Sequence, residues 1–278
     1  MIMNGTPKNA FSWTFSTLGC PEATLTEAIE LARAHGLDKL ELRTLEGRVD
    51  LPALFGERHG DPESLKDFLK REGIEVVSLD ASLKLVGNTS ADREELLEFL
   101  PWAEALGTPW LRIFDGGTFA PELGKDDLAA ALDTLAWWRS ERKRHGWKAD
   151  VMIETHDCLT ASAALAQLQD ALDEPAAVLW DTHHTWKKGG EDPAATWKAL
   201  RGQVPHIHVK DSISKPSDRH PFTYVQLGEG EFPLQETIEM LATSGFAGTV
   251  SIEWERKWHP YLQPLETALA RARELGWW

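Results

Sequence analysis

Short apolar runs alternate with amphipathic stretches along almost the whole chain. Eight runs read as strands: 11–17 (FSWTFST), 38–43 (DKLELR), 74–80 (IEVVSLD), 110–114 (WLRIF), 149–154 (ADVMIE), 177–181 (AVLWD), 205–210 (PHIHVK) and 248–254 (GTVSIEW). The stretches between them carry helical spacing. TLTEAIELARAHG and SLKDFLKREG each end on a glycine, Gly36 and Gly73, suited to the left-handed position that closes a helix. REELLEFLPWAEALG holds Pro101 inside its pattern, which predicts a kink there. DDLAAALDTLAWWRSERKRHG finishes in a basic turn that complements the negative end of the helix dipole. Four more helical patterns fall near 160–173, 193–202, 233–245 and 262–276. Eight strands, each followed by a helix, predict an α/β fold: a (β/α)8 TIM barrel forming a single domain over residues 1–278. The longest connection, 211–230, is rich in Ser, Pro and Gly, and a loop of that length in a compact domain is usually functional.

Charge narrows the function classes. A formal net charge of −15 argues against a nucleic-acid groove, which needs lysine and arginine to displace counterions, and against an anionic membrane surface. Cys20 and Cys158 are too few for a disulfide framework, which points to a reducing compartment. The first residues lack a basic segment followed by an apolar one, and no later run approaches a membrane span. The expectation is a soluble cytoplasmic protein acting on a small molecule, with no nucleic-acid or membrane partner.

In a parallel barrel the active site lies at the C-terminal ends of the strands. Strand five ends in IETHD, placing Glu154, His156 and Asp157 there, and strand six ends in WDTHH with Asp181, His183 and His184. Strand seven, HIHVKD, carries His206, His208, Lys210 and Asp211; strand eight, SIEWE, carries Glu253 and Glu255. Each of these alone is as well explained by a solvated rim or a hydrogen-bonded core position. Four successive strand ends bearing carboxylates or imidazoles are not. Glu41, Arg43 and Arg112 lie on strands two and four, where they could point inward and hold substrate hydroxyls or a carboxylate, or form rim ion pairs. Lys210 shares a face with His208 by the two-residue strand period. His156, two residues after Glu154, could orient a ligand or touch substrate. Trp13 stands near a strand end, where an indole face can pack on the C–H side of a sugar ring.

These motifs resemble the xylose isomerase-like barrels, which include D-tagatose 3-epimerase, inosose dehydratase and isomerase, and endonuclease IV. The similarity runs from STLGCP at 16–21 to the final helix. It is most specific at Glu154 in IETH, the Asp-x-x-His of Asp181 and His184, His208 in HIHVKD, LGEGEFPL at 227–234, and Glu253 in SIEWE. The resemblance implies one divalent metal ion held by Glu154, Asp181, His208 and Glu253; Glu154 and Glu253 would then face each other across it, each with an oxygen free to handle a proton, and are the expected catalytic pair. It also implies that His184 is a substrate contact, although strand alternation from Asp181 would favour His183. Three carboxylates and an imidazole, about −3 in charge, suit a hard or borderline dication: manganese first, with magnesium, cobalt or zinc as alternatives. The implied chemistry is a sugar isomerase or epimerase that removes a proton beside a carbonyl and passes through an ene-diolate. Relatives of this kind are often homo-oligomers.

The glycine loop LGEGEFPL follows strand seven, where many barrels bind phosphate, but Glu229 and Glu231 would repel a phosphate dianion. An unphosphorylated sugar or keto-polyol is therefore expected. Two rival outcomes use the same residues: dehydration of a keto-polyol, and abasic-site cleavage of the endonuclease IV kind. The nuclease would need further metals, for which His184, Asp218 and His220 form a candidate second site, yet the family's additional histidines on the earlier strands are missing.

Overall fold

In the computed structural model, which describes residues 10–278, every expected strand forms. They are β1 (Ser12–Phe15), β2 (Lys39–Leu42), β3 (Glu75–Val86), β4 (Trp110–Gly116), β5 (Asp150–Glu154), β6 (Ala177–Asp181) and β7 (His206–Val209), followed by a hairpin, β8 (Asp211–Ile213) and β9 (Thr223–Val225), and finally β10 (Thr249–Ile252). The first seven strands and β10 make one parallel sheet in the order β1-β10-β7-β6-β5-β4-β3-β2. Its two ends meet through a parallel bridge from Ser16 to Glu41 and a bond from Thr14 Oγ1 to the Lys39 carbonyl (2.7 Å). The result is a nearly closed barrel with the helices outside. Residues 1–9, part of the stretch on which the reading of the N-terminal segment rests, lie outside the described residues. Among the described residues no helix is long and apolar enough to cross a membrane.

Register determines which residues enter the barrel. Residues paired across parallel strands point the same way. Thr14 pairs with Ser251, Ser251 with His208, and Asp181 with His208, so these four form one inward level. The level below holds Phe114, Glu154, Leu179 and His206, and the next holds Asp80, Arg112 and Met152. The neighbours in between, Trp13, Val250, Ile207 and Trp180, face the helices. Barrels usually fill their interior with branched aliphatics. Here Glu41, Asp80, Arg112, Glu154, His206 and His208 are buried instead. Buried charge at this density is tolerated only when it is paired, so the interior reads as a polar foundation for the rim above it.

Several elements differ from the sequence pattern. Strand β3 runs on to Val86 because its pairing with β4 shifts between Asp80 and Lys84, which carries the strand past the rim. Pro101 breaks its stretch into two helices, Ser90–Glu98 and Leu100–Leu106, instead of merely bending one. Leu51–His59 is a helix that the pattern hid, since Gly56 interrupts its short apolar repeat. Asp50 caps it through the Ala53 N–H. The long 211–230 connection is not slack: it folds back as the β8–β9 hairpin.

Candidate metal centre

Glu154 and Asp181 end their strands, His208 is the penultimate residue of β7, level with Asp181, and Glu253 extends β10 by donating its N–H to the Val209 carbonyl (3.2 Å). The ligand-type atoms of these four side chains all lie within 4.8 Å of one another. His208 Nδ1 stands 3.3 Å from Glu253 Oε2 and 3.6 Å from Glu154 Oε1, with no hydrogen bond formed to it. Both Glu154 oxygens are likewise buried without a hydrogen-bond partner among the described residues, the nearest cation being Arg112 Nε at 3.3 Å from Oε2. Buried polar atoms left unpaired are costly, and a convergent set of them calls for an explanation such as a bound ion.

Partners beneath the centre orient it. Glu41 places both carboxylate oxygens 3.0 Å from His208 Nε2, and Oε2 also lies 2.6 Å from His206 Nε2. His208 therefore turns Nδ1 toward Glu154 and Glu253. Although burial opposes it, Glu41 and Glu253 hold the free imidazole well above its ordinary pKa. Lys210 enters from the side. Its ammonium is 2.7 Å from Asp181 Oδ2 and 2.6 Å from Glu255 Oε1, and it also pairs with Glu253 Oε2. Burial works against this lysine too, but Asp181, Glu253 and Glu255 keep it charged. Four carboxylates, Glu154, Asp181, Glu253 and Glu255, thus face two fixed cations, Lys210 and Arg112. These carboxylates outnumber the two cations that pair with them, an imbalance that a divalent cation would offset.

Strand β6 explains the paired histidines. Asp181 caps the short helix Thr182–Lys187, its Oδ1 accepting the His184 N–H at 2.8 Å. Once the chain turns helical, the residue three positions on shares the direction of Asp181, and the strand rule no longer applies. His184 Nδ1 accordingly lies 3.0 Å from Asp181 Oδ2, and Nε2 is 4.0 Å from Glu255. His183 turns away to Ser212 Oγ (2.7 Å) among Phe222, Tyr224 and Trp186. His156 packs its ring on His184 (centroids 4.7 Å) and on Phe114 (5.1 Å), pairs with Asp157 (3.0 Å), and remains partly exposed at the mouth.

Two expectations are corrected. Trp13 does not face the centre: it is on the outward level and stacks on Trp277 with centroids 4.8 Å apart. His184, Asp218 and His220 are not brought together as a second metal site. Asp218 is exposed, His220 stacks on Phe222 at 4.8 Å, and no group of described residues able to share an ion includes either. Two participants had no role assigned from sequence. Glu255, already visible as the next alternate position after Glu253 in SIEWE, joins Lys210 to the Tyr224 hydroxyl, which donates to it at 2.8 Å. Tyr224 carries no sequence signal, because only the hairpin brings β9 over the rim.

The glycine loop is occupied by the protein itself. The Asp211 carboxylate accepts the N–H groups of Gly228 (3.0 Å), Gly230 (2.9 Å) and Phe232 (3.2 Å). A β-carbon on Gly230 would stand 1.9 Å from Asp211 Oδ1. Amides that could cradle a phosphate are spent on an internal carboxylate.

Solved structures share this architecture. A probable 3-DHS dehydratase, AsbF, involved in petrobactin synthesis in Bacillus anthracis, is 18% identical, with a TM-score of 0.76 over 95% of this chain and 99% of that one. The IOLI protein with a bound zinc atom is 18% identical, with a TM-score of 0.72 over 96% of each chain. A D-tagatose 3-epimerase-like protein is 18% identical, with a TM-score of 0.66 over 95% and 99%. At these identities the likeness speaks for the fold. No curated protein sequence shows significant similarity. The family model described as the xylose isomerase-like TIM barrel matches residues 29–277, nearly the full length of the barrel, and the chain belongs to that family.

Proposed function

We propose that the protein is a divalent-metal-dependent isomerase or epimerase that moves a proton beside the carbonyl of a small, unphosphorylated sugar or keto-polyol. The observation that carries this reading is the convergence of Glu154, Asp181, His208 and Glu253, with His208 Nδ1 and both Glu154 oxygens unpaired in a buried, carboxylate-rich setting. Those four residues would hold the ion. When bound, a divalent metal supplies a Lewis acid that polarises a carbonyl and favours loss of the neighbouring proton. Manganese suits a set dominated by carboxylate oxygens, and the zinc named for the IOLI protein makes zinc the alternative to test.

The remaining chemistry belongs to the side chains. Glu154 and Glu253 flank His208 Nδ1 from two strands, so one can remove a proton from a substrate carbon and the other return it. Return to the opposite face of the same carbon inverts it; return to the adjacent carbon exchanges ketone and alcohol. Lys210 anchors Asp181 and Glu253, and His184 and His156 line the approach. The Asp211-filled loop supports a substrate without phosphate. A second reading, loss of a hydroxyl beta to the carbonyl, starts with the same proton removal and is supported by the likeness to AsbF. Abasic-site cleavage loses its support with the unassembled second site and the −15 charge.

The test is hydrogen exchange in D2O. Protein loaded with manganese, and separately with zinc, is incubated with ketoses, aldoses, inososes and keto-acids, beside a chelator-treated control, and deuterium is located by NMR. The expected result is carbon-bound deuterium next to the carbonyl, dependent on metal and reduced at least ~100-fold in Glu253→Gln. Confirmed metal binding without exchange in any compound would overturn the reading.

A further inference from the structure

Arg43 is a buried cation that forms no ion pair among the described residues. It follows β2 directly and, two positions beyond the inward Glu41, enters the barrel mouth with only 6% of its surface exposed. Its guanidinium donates from Nη1 to the Asp80 carbonyl oxygen (3.0 Å) and to Ser82 Oγ (3.1 Å). No carboxylate among the described residues forms an ion pair with it, and no hydrogen bond among them engages its Nε or Nη2. Buried arginines are otherwise almost always paired, and the other one in this interior obeys the rule. Arg112 meets Asp80 Oδ2 at 3.4 Å and Glu154 Oε2 at 3.3 Å.

The surroundings add to the imbalance. Both guanidinium groups lie against the Phe114 ring, Arg112 at 4.0 Å and Arg43 at 5.6 Å from its centroid. Burial and the neighbouring Arg112 lower the Arg43 pKa to about 10, against the pull of Asp80, Glu154 and Glu253. Asp80 is a weak counter-charge, since burial raises its carboxyl to about 8. Phe114 and Ser82 are both partly exposed, so this edge of the guanidinium borders the opening and not the sealed core.

We infer that Arg43 is a substrate-binding residue for a carboxylate, and that the substrate is a hydroxy-keto acid whose carbonyl end lies at the Glu154 and Glu253 pair. This deepens the proposed function and rests on it for the placement of the carbonyl. A guanidinium with two free nitrogens matches the two oxygens of a planar carboxylate in a fork that a lysine cannot reproduce. A phosphate is the poorer occupant, because the loop amides suited to one are held by Asp211.

The test compares matched pairs that differ only by a terminal CH2OH or COO⁻: D-fructose with D-fructuronate, and L-sorbose with L-sorburonate. Affinity is measured by calorimetry with manganese-loaded and metal-free protein, and deuterium exchange in parallel. The expected result is tighter binding of each acid, on the order of 10- to 100-fold. That advantage should collapse toward unity in Arg43→Gln and recover only partly in Arg43→Lys, with melting temperature and manganese affinity recorded for each variant. Acids binding no better than their ketoses would overturn the carboxylate site; metal-dependent exchange in either compound would then leave the proposed function standing. An acid advantage undiminished in folded Arg43→Gln removes Arg43 from the site. D-fructose 6-phosphate binding more tightly than D-fructuronate would overturn the choice of carboxylate. An acid advantage in a protein that binds no metal supports Arg43 and sinks the metal-dependent reading alone.

Discussion

In Glu41→Gln the side chain keeps its length and planarity but loses its charge directly beneath His208. Both Glu41 oxygens lie 3.0 Å from His208 Nε2, and the three groups Glu41, His206 and His208 are no more than 1% exposed. Water cannot replace the lost interaction. A charge-assisted hydrogen bond becomes a neutral one, a difference of about 1–2 kcal/mol. Glutamine also brings an NH2 group that must face one of two imidazoles 5.6 Å apart. One ring can turn its lone pair to that NH2 while the other still donates to the carbonyl, so the fold should lose no more than about 1–3 kcal/mol. The larger consequence falls on the ion. An imidazole backed by a carboxylate is a stronger and better oriented ligand, and removing such support typically costs 10- to 100-fold in metal affinity, or about 1.4–2.7 kcal/mol. The assay is competition for manganese or zinc against a fluorescent chelator at pH 7.5, with a thermal melt to establish that the variant is folded. A dissociation constant within twofold of wild type in a folded Glu41→Gln protein would refute the claim that Glu41 sets the orientation of His208.

Other outcomes follow from positions away from the ion. Trp13→Ala removes an indole packed on Trp277 and should cost about 3–5 kcal/mol in urea unfolding, yet leave manganese affinity within twofold; a large affinity loss would return Trp13 to the site. Gly56→Ala, in a helix with open space at the new methyl, should stabilise by about 0.5–1 kcal/mol. Gly230→Ala drives its methyl to 1.9 Å from Asp211 Oδ1 and should destabilise by about 1–3 kcal/mol or more; equal melting temperatures for these two variants would contradict the packing described. Burial beside Phe222 lowers the His220 pKa to about 4. The fold therefore favours the neutral ring, whose contribution is complete above about pH 6.5 and is lost as the pH falls toward 4. Discounted for partial solvent access, that is about 1–2 kcal/mol. An NMR titration of the His220 ring with a midpoint near 6.5, or a His220→Gln variant whose stability falls equally steeply over that window, would contradict it.

Much of the barrel was legible because its signals are local. Apolar runs of five to seven residues, glycines after helices and a basic helix end each act within a few residues, and each produced the expected element. The four strand-end residues of the centre were legible for a related reason: in a parallel barrel the end of each strand is also the rim. What a strand pattern cannot state is parity, that is, which of two alternating faces turns inward. Trp13 and Thr14 are equivalent candidates until β1 pairs with β10 and Thr14 falls level with Ser251 and His208. His184 took the place beside Asp181 only because the chain became helical one residue after the strand. Glu41 meets His208 across 167 positions of sequence, a contact that exists only once the sheet has curved back on itself. Arg43 shows the same division from the other side. Sequence placed a guanidinium near a strand end, with hydroxyl, carboxylate or rim partners equally open. Closure of the barrel brought no carboxylate of the described residues into an ion pair with it, because pairing depends on which side chains the fold delivers to the same few ångströms.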